Sequence, residues 1–281
     1  MEIKTLSHCT PAELTQAFNE AFSDYIVQFV MTEEMMVGRM KGFNTDLSIS
    51  PGVFDQGKLR GFIFHGVGER NGAPIVWNGG TGVAPAYRGQ GLTSQLYSFI
   101  LPVLRQKGFE QTTLEVIVGN DPAIHTYKKN GFSIIRNFDC YKGKVKAQEI
   151  PEGVQIKTLE LIDWALLNSF RNWQPSYQNN DPKVKLLREE LNITGAYKNG
   201  KLCAYIISDQ NSEAGDIFQF AVGEEYRRQG IGSALFGYVQ TQKKVPLKLV
   251  NVDAADKASA AFLNQLGFEK TISQYEMIKK L

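Results

Sequence analysis

The pattern of apolar and polar residues divides this chain into short strands and amphipathic helices. Apolar or alternating runs typical of strands lie at 2–6, 47–54, 58–67, 75–83, 112–118 and 132–145. Apolar residues recur with helical spacing at 11–22, after Thr32, after Leu92 and at 121–130. Strands that alternate with helices in this way predict an α/β protein.

The second half of the chain repeats this order with fewer residues. Strands are predicted at 154–158, 193–197, 201–208, 216–222 and 247–252, with helices after Ile231 and at 254–266. The pair Gly131-Phe132 in the first half matches Gly267-Phe268 in the second, and residues 151–153, Pro-Glu-Gly, are a turn signal between the halves. We therefore predict two fused domains, residues 1–149 and 150–281, related by internal duplication.

A glycine-containing loop occupies the same place in both halves. Residues 87–93, Tyr-Arg-Gly-Gln-Gly-Leu-Thr, and residues 226–232, Tyr-Arg-Arg-Gln-Gly-Ile-Gly, each follow a predicted strand and begin a predicted helix. We call them the first and second glycine loops. The first backbone amides of a helix have no intrahelical acceptor, and the helix dipole favours negative charge there. The sequence therefore predicts two phosphate-binding loops.

Composition excludes several other classes of protein. The 31 Lys and Arg residues nearly balance the 29 Asp and Glu residues, and the net charge is +2. This balance gives no reason to expect a nucleic-acid partner, which usually requires a basic stripe. The start of the chain has no apolar signal core, and no apolar run is long enough to cross a membrane. We expect a cytoplasmic protein without a membrane partner.

The side chains that usually bind metals are scattered. Cys9, Cys140 and Cys203 are isolated, and His8, His65 and His125 lack ligand spacing, so we predict no metal site and no disulfide framework. Residues 89–94 nearly match the dinucleotide fingerprint G-x-G-x-x-G. That fingerprint belongs to the first strand–helix turn of its fold, whereas several strands precede it here, so NAD or FAD binding is disfavoured.

Residues 83–93 resemble motif A of the GNAT superfamily of N-acetyltransferases, whose usual form is Gln/Arg-x-x-Gly-x-Gly/Ala. Residues 222–232 resemble the same motif with all its small residues in place, whereas Thr93 replaces the last one in the first copy. Residues 114–132, with Asn120, Ala123, Tyr127 and Gly131-Phe132, resemble motif B. The resemblance covers both halves of the chain.

The resemblance implies two acyl-CoA N-acyltransferase domains, each with a bent mixed sheet and a V-shaped opening between its fourth and fifth strands. Acetyl-CoA would lie in that opening, its pantetheine paired with the fourth strand and its diphosphate on the amides of the first glycine loop. The implied binding residues are Gly82, Val83, Ala84, Arg88, Gly89, Gln90, Gly91, Leu92, Thr93 and Asn120. A second, weaker site is implied at Val222, Arg227, Arg228, Gly230 and Gly232.

The resemblance also implies a catalytic role for two side chains of the first half. Some members of the superfamily use a glutamate and a tyrosine at this spacing, so Glu115 is implied as the general base and Tyr127 as the general acid. The alternatives are a solvated strand residue for Glu115 and helix–sheet packing for Tyr127. The second half has Asn251 and Leu263 at these positions, so we place the chemistry in the first half.

We therefore expect an acetyl-CoA-dependent N-acetyltransferase that acts on a primary amine of a small molecule or peptide. The alternative is a non-catalytic protein that binds acyl-CoA as a sensor or interaction module, which the residues of the second half favour. Aminoacyl transfer, known in other tandem relatives of this fold, is disfavoured because no tRNA-binding surface is evident. The acceptor itself is set by variable helices and loops.

Overall fold

The computed structural model describes residues 1–24, 30–70 and 72–281. The chain divides into two compact units. Unit 1 comprises Met1–Ile135 and Glu276–Leu281, and unit 2 comprises Arg136–Tyr275. Within the described residues, no helix has both the length and the apolar composition needed to span a bilayer.

Unit 1 is a mixed sheet with helices. Its strands are β1 (Glu2–Thr5), β2 (Pro51–Asp55), β3 (Lys58–Arg70), β4 (Ala73–Val83), β5 (Gln111–Ile117) and the start of β6 (Ser133–Gly143). Its helices are α1 (Pro11–Ala21), α2 (Glu33–Gly42), α3 (Leu92–Gln106) and α4 (Asp121–Lys129). Neighbouring strands from β1 to β4 are antiparallel, and β4 pairs in parallel with β5.

Polar residues fix where the helices of unit 1 begin. Thr10 and Glu13 form a reciprocal capping box at α1. The side chain of Thr32 accepts a hydrogen bond from the amide of Met35 and caps α2, at the start that the sequence predicts. The apolar faces of α1 and α2 then pack with β3 in a core that includes Leu14, Phe18 and Phe62.

The strand predicted from residue 47 begins later. Residues Leu47–Ile49 form a 3₁₀ turn, and β2 starts at Pro51. The carboxylate of Asp46 accepts a hydrogen bond from the amide of Ser48 at 2.8 Å, which stabilises the turn against extension. Apolar periodicity alone does not register such a side-chain cap.

Unit 2 repeats this arrangement. Its strands are β7 (Val154–Thr158), β8 (Leu191–Lys198), β9 (Lys201–Asp209), β10 (Asp216–Val222), β11 (Leu247–Asp253) and β12 (Glu269–Lys280), of which β12 ends in unit 1. Its helices are α5 (Trp164–Ser169), α6 (Asp181–Leu186), α7 (Ile231–Thr241) and α8 (Lys257–Gln265). The strands from β7 to β10 are antiparallel neighbours, and β10 pairs in parallel with β11.

The two long strands β6 and β12 each pass from one unit into the other. In unit 2, residues 138–143 of β6 pair with β11. In unit 1, the hydroxyl of Thr113 on β5 donates to the carbonyl of Met277 on β12 at 2.9 Å. The compact units therefore do not divide at the boundary of 149 and 150, which stays a prediction about the sequence repeat.

Candidate active site

In both units, two parallel strands separate at the same position relative to the glycine loop. The pairing of β4 with β5 ends at Asn78 and Leu114, although β4 continues to Val83. The pairing of β10 with β11 ends at Ile217 and Leu249, although β10 continues to Val222. Each pair of strands thus opens into a fork whose free strand edge leads to the glycine loop.

A β-bulge accompanies each fork. Pairing with the antiparallel neighbour skips Gly79 in β4 and Phe218 in β10. Each bulged residue directly follows the last residue paired in parallel. Because a bulge bends its strand and increases the local twist, it accounts for the separation at this position.

The first glycine loop is held by the side chain of Arg88. Its Nε donates to the carbonyl of Val83 at 3.1 Å, and its Nη2 donates to the carbonyl of Ala21 at 2.8 Å. Asp24 receives further hydrogen bonds from Nη1 at 2.6 Å and Nη2 at 2.8 Å, and these hold the pKa of that carboxyl below its usual range. Arg88 therefore ties the end of β4 to the end of α1.

The helix N-terminus after this loop is open. Gly89 and Gly91 have positive φ angles of 77° and 69°, and Gly91 is the N-cap of α3 without a side-chain capping bond. A Cβ at either glycine would meet no described atom within 4 Å. Within the described residues, no hydrogen bond to the amides from Gly89 to Thr93 is present. These amides can donate hydrogen bonds to a diphosphate, as the sequence predicts.

Glu115 and Tyr127 lie on the two elements that follow the fork. Glu115 comes directly after Leu114, at the first position of β5 beyond the parallel pairing, and is partly buried. Tyr127 is 8% exposed on α4 and packs edge-on against Phe132, with ring centroids 6.0 Å apart. The helix is capped by Asn120, whose side chain accepts from the amide of Ala123. The roles of Glu115 and Tyr127 as base and acid stay predictions.

A buried polar network lies at the base of this fork, and sequence reasoning missed it. The amide nitrogen of Asn78 donates to the hydroxyls of Thr81 at 2.7 Å and Tyr97 at 2.9 Å. Burial raises the pKa of Tyr97 well above its usual value, and the neighbouring Tyr127 raises that pKa further. The rings of Tyr97 and Tyr127 both pack against Phe132, with centroid distances of 5.2 Å and 6.0 Å. A polar Asn78 in an apolar strand was the available signal.

The second glycine loop repeats the backbone arrangement. Arg227 donates from Nε to the carbonyl of Val222 at 3.0 Å and from Nη2 to the carbonyl of Phe170 at 3.2 Å. Gly230 is the N-cap of α7 with a φ of 79°. Arg228, at the position of Gly89, also has a positive φ, at 62°. The arginine that both loops share thus makes the same two contacts with backbone carbonyls in each unit, and Arg88 adds the ion pair with Asp24.

The residues of unit 2 at the positions of the predicted catalytic pair are fully buried. Leu263 lies within the core of unit 2. Asn251 donates to Ser176 at 3.1 Å and accepts from Gln274 at 3.0 Å. Neither side chain can transfer a proton as an acid or base near neutral pH.

Unit 2 contains a cavity of about 340 Å³ that sequence reasoning did not place. That volume lies in the range of sites for small molecules. The second glycine loop, the free end of β10 and aromatic side chains line it, including Phe170, Trp173, Phe220 and Phe262. The cavity therefore joins the predicted weaker phosphate-binding loop to the fork between β10 and β11.

A charged cluster lies at the wall of this cavity. Arg171, whose side chain is 7% exposed, donates to Tyr205 through Nε and to Asp181 and Gln219 through Nη2, each at 2.6 Å. Burial alone would lower the pKa of Arg171, but the hydroxyl of Tyr205 and the carboxylate of Asp181 outweigh it. The pKa is therefore raised, and the guanidinium is charged. These four residues are far apart in sequence, so no motif predicts the cluster.

Comparison with protein-family models matches residues 13–132 and 158–268 to the acetyltransferase (GNAT) family. The chain belongs to this family. The two matched segments confirm the predicted α/β fold with two GNAT-like domains.

Solved structures support the tandem arrangement. A tandem GNAT protein from the clavulanic acid biosynthesis pathway is 16% identical, with a TM-score of 0.73 over 99% of this chain and 98% of that one. A GCN5-related N-acetyltransferase from Sphaerobacter thermophilus is also 16% identical, with a TM-score of 0.72 over 99% of this chain and 95% of that one. Among curated protein sequences, no significant match is found.

Proposed function

We propose that the protein transfers an acetyl group from acetyl-CoA to a primary amine of a small molecule or peptide, with the chemistry in unit 1. One observation carries the proposal: Tyr127 and Tyr97 both pack against Phe132, and the hydroxyl of Tyr97 contacts Asn78, the last residue of β4 paired with β5. A proton donor thus lies near the base of the fork, and Glu115 begins the open part of β5. Unit 2 has no acid or base at the corresponding positions.

The residues of unit 1 suit the predicted co-substrate. The amides from Gly89 to Thr93 would bind its diphosphate, because they are open donors at the N-terminus of a helix of 15 residues. The two glycines keep space free for close approach of a ligand to the backbone. Residues 82–84 would offer the strand edge to the pantetheine, and Asn120 lies at the start of the next helix.

The chemistry then requires two proton transfers. The thioester supplies the acyl group. The amine nitrogen must be neutral to form the new C–N bond, so the carboxylate of Glu115 takes a proton from it. As the C–S bond breaks, the phenol of Tyr127 gives a proton to the departing thiolate. The net result is an amide and a free thiol, with both side chains restored by proton exchange with solvent.

The test replaces Tyr127 by Phe and follows thiol release from acetyl-CoA across a panel of amines. We expect turnover to fall by about 10²–10⁴ while the affinity for CoA stays unchanged, because the phenol acts on the leaving group alone. Tyr238→Phe, a partly buried phenol of unit 2, is the matched control. Full turnover of Tyr127→Phe would remove the acid assignment.

A second candidate function is favoured by unit 2 alone. The cavity beside the second glycine loop, together with Leu263 and Asn251, suits a site that binds acyl-CoA without turnover. Under this alternative the intact protein would bind CoA but release no thiol with any amine of the panel.

A further inference from the structure

The cavity of unit 2 contains a buried charge with unused hydrogen-bond donors. A guanidinium has five N–H donors. Arg171 uses one on Nε and two on Nη2, for Tyr205, Asp181 and Gln219. Within the described residues, no hydrogen bond from its Nη1 is present, and Arg171 lines the cavity. Its two remaining donors can therefore reach a ligand there.

The charges around the cavity favour an anion. Of the described residues that line it, three are arginines, Arg171, Arg227 and Arg228, and one, Asp256, is a carboxylate. Asp256 is occupied as the N-cap of α8 and accepts from the hydroxyl of Ser259 at 2.6 Å. Asp181 balances part of the charge of Arg171, but the sum of these five groups is still positive. A ligand with one negative group is thus better matched than a cation.

The same cluster keeps Arg171 in one orientation. Gln219, which accepts from Arg171, donates to the carbonyl of Asn179 at 2.5 Å and to Asp181 at 3.1 Å. The hydroxyl of Tyr205 is fully buried beneath them. Because a positioned guanidinium loses little entropy on binding, it suits recognition of a planar carboxylate.

We infer that the cavity of unit 2 binds a small molecule through a carboxylate that pairs with Nη1 of Arg171, while its apolar part contacts Trp173, Phe220 and Phe262. The carboxylate belongs either to the acyl chain of a CoA thioester that also uses the second glycine loop, or to a free carboxylic acid. This inference is independent of the transfer proposed for unit 1, because it concerns binding and another set of residues.

The experiment measures binding to the intact protein of ligands that carry a carboxylate and of their neutral analogues. One pair is succinyl-CoA and butyryl-CoA, and the other is 3-phenylpropionate and 3-phenylpropionamide. The indole N–H signal of Trp173 in a ¹⁵N-resolved NMR spectrum reports on the cavity, and Trp173→Phe assigns it. We expect at least one ligand with a carboxylate to shift this signal and to bind at least about tenfold more tightly than its neutral analogue. The pair that shows the preference identifies the source of the carboxylate.

Two variants separate recognition from a structural role. Arg171→Met combined with Asp181→Asn removes both charges, and we expect it to abolish the preference for the carboxylate. Asp181→Asn alone keeps the guanidinium and removes its partner, so carboxylate affinity should rise. This second variant tests the inference even if the first does not fold.

Three results would overturn the inference. They are equal affinity within both pairs of ligands, binding that leaves the Trp173 signal unmoved, and no gain in carboxylate affinity in Asp181→Asn. A loss of transfer activity in Tyr127→Phe has no bearing on these outcomes, so the two proposals fail separately.

Discussion

Unit 1 and unit 2 share a backbone loop and differ in the side chains around it. In both, an arginine ties the end of the strand before the loop to the end of an earlier helix. Beyond the loop, unit 1 has Tyr127 on α4, whereas unit 2 has Leu263 and a cavity walled by Arg171. The comparison separates what the fold requires, which is the arginine and the glycine at the helix N-terminus, from what a particular chemistry requires.

The largest effect that would test this difference between the units is expected from removal of the proposed base in unit 1. We expect Glu115→Gln to lower kcat/KM by about 10²-fold or more, because the amine then keeps its proton. Affinity for CoA should be unchanged, as measured by isothermal titration calorimetry. Glu110→Gln, an exposed glutamate just before the same strand, is the control and should behave as the parent protein. Equal losses in both variants would indicate a general electrostatic effect and not a base.

The two units should also differ in their response to acid. His65 in unit 1 is fully buried, its Nδ1 lies 2.7 Å from the carbonyl of Ile49, and burial lowers its pKa from 6.5 to about 4. The unfolded chain binds this proton below pH 6.5 and the folded chain only below about pH 4. Stability is therefore complete above pH 6.5 and falls as the pH drops through this window, by about 3 kcal/mol in all.

This prediction is checked by urea unfolding at about pH 7 and about pH 4.5, following Trp77 fluorescence as a signal from unit 1. His65→Gln should lose less stability between the two pH values than the parent protein. His125→Gln changes an exposed histidine of the same unit and should leave the pH dependence intact. Parallel pH profiles for all three proteins would rule out His65 as the cause.

The smallest expected effect concerns one loop position that the units fill differently. Gly89 and Arg228 both have positive φ, which costs a non-glycine residue about 1–2 kcal/mol. We expect Arg228→Gly to stabilise unit 2 by about 0.5–1 kcal/mol, since the greater entropy of unfolded glycine offsets part of the gain. Gly89→Arg should destabilise unit 1 by a similar amount. Chemical denaturation measures the change in the free energy of unfolding for both variants. If the two loop positions are equivalent, the two changes have opposite signs.

Local patterns in the sequence were enough to predict the elements around each glycine loop. The strands at 154–158 and 216–222 match the predicted bounds, and Thr32 caps α2 as expected. These features depend on neighbours within a few residues, such as a capping hydroxyl or an apolar run. The same is true of the glycine N-caps of α3 and α7, which are predicted from a glycine directly before each helix.

Features that depend on distant residues could not be predicted this way. The cluster of Arg171, Asp181, Tyr205 and Gln219 draws on a loop, a helix and two strands, and no spacing rule connects them. The passage of β6 and β12 from one unit into the other could not be predicted from the sequence either, because an apolar strand does not specify its partner. The cavity of unit 2 was missed for the same reason.

The assignment of residues 276–281 to unit 1 has a consequence for synthesis on the ribosome. Residues 276–281 complete the sheet of unit 1, where the amide of Leu281 also donates to the carbonyl of Glu110 at 2.8 Å. Translation therefore delivers the last strand of the first half only after all of unit 2 has been made. The nascent amino-terminal half therefore emerges with the edge of β5 unpaired until residues 276–281 have been synthesised.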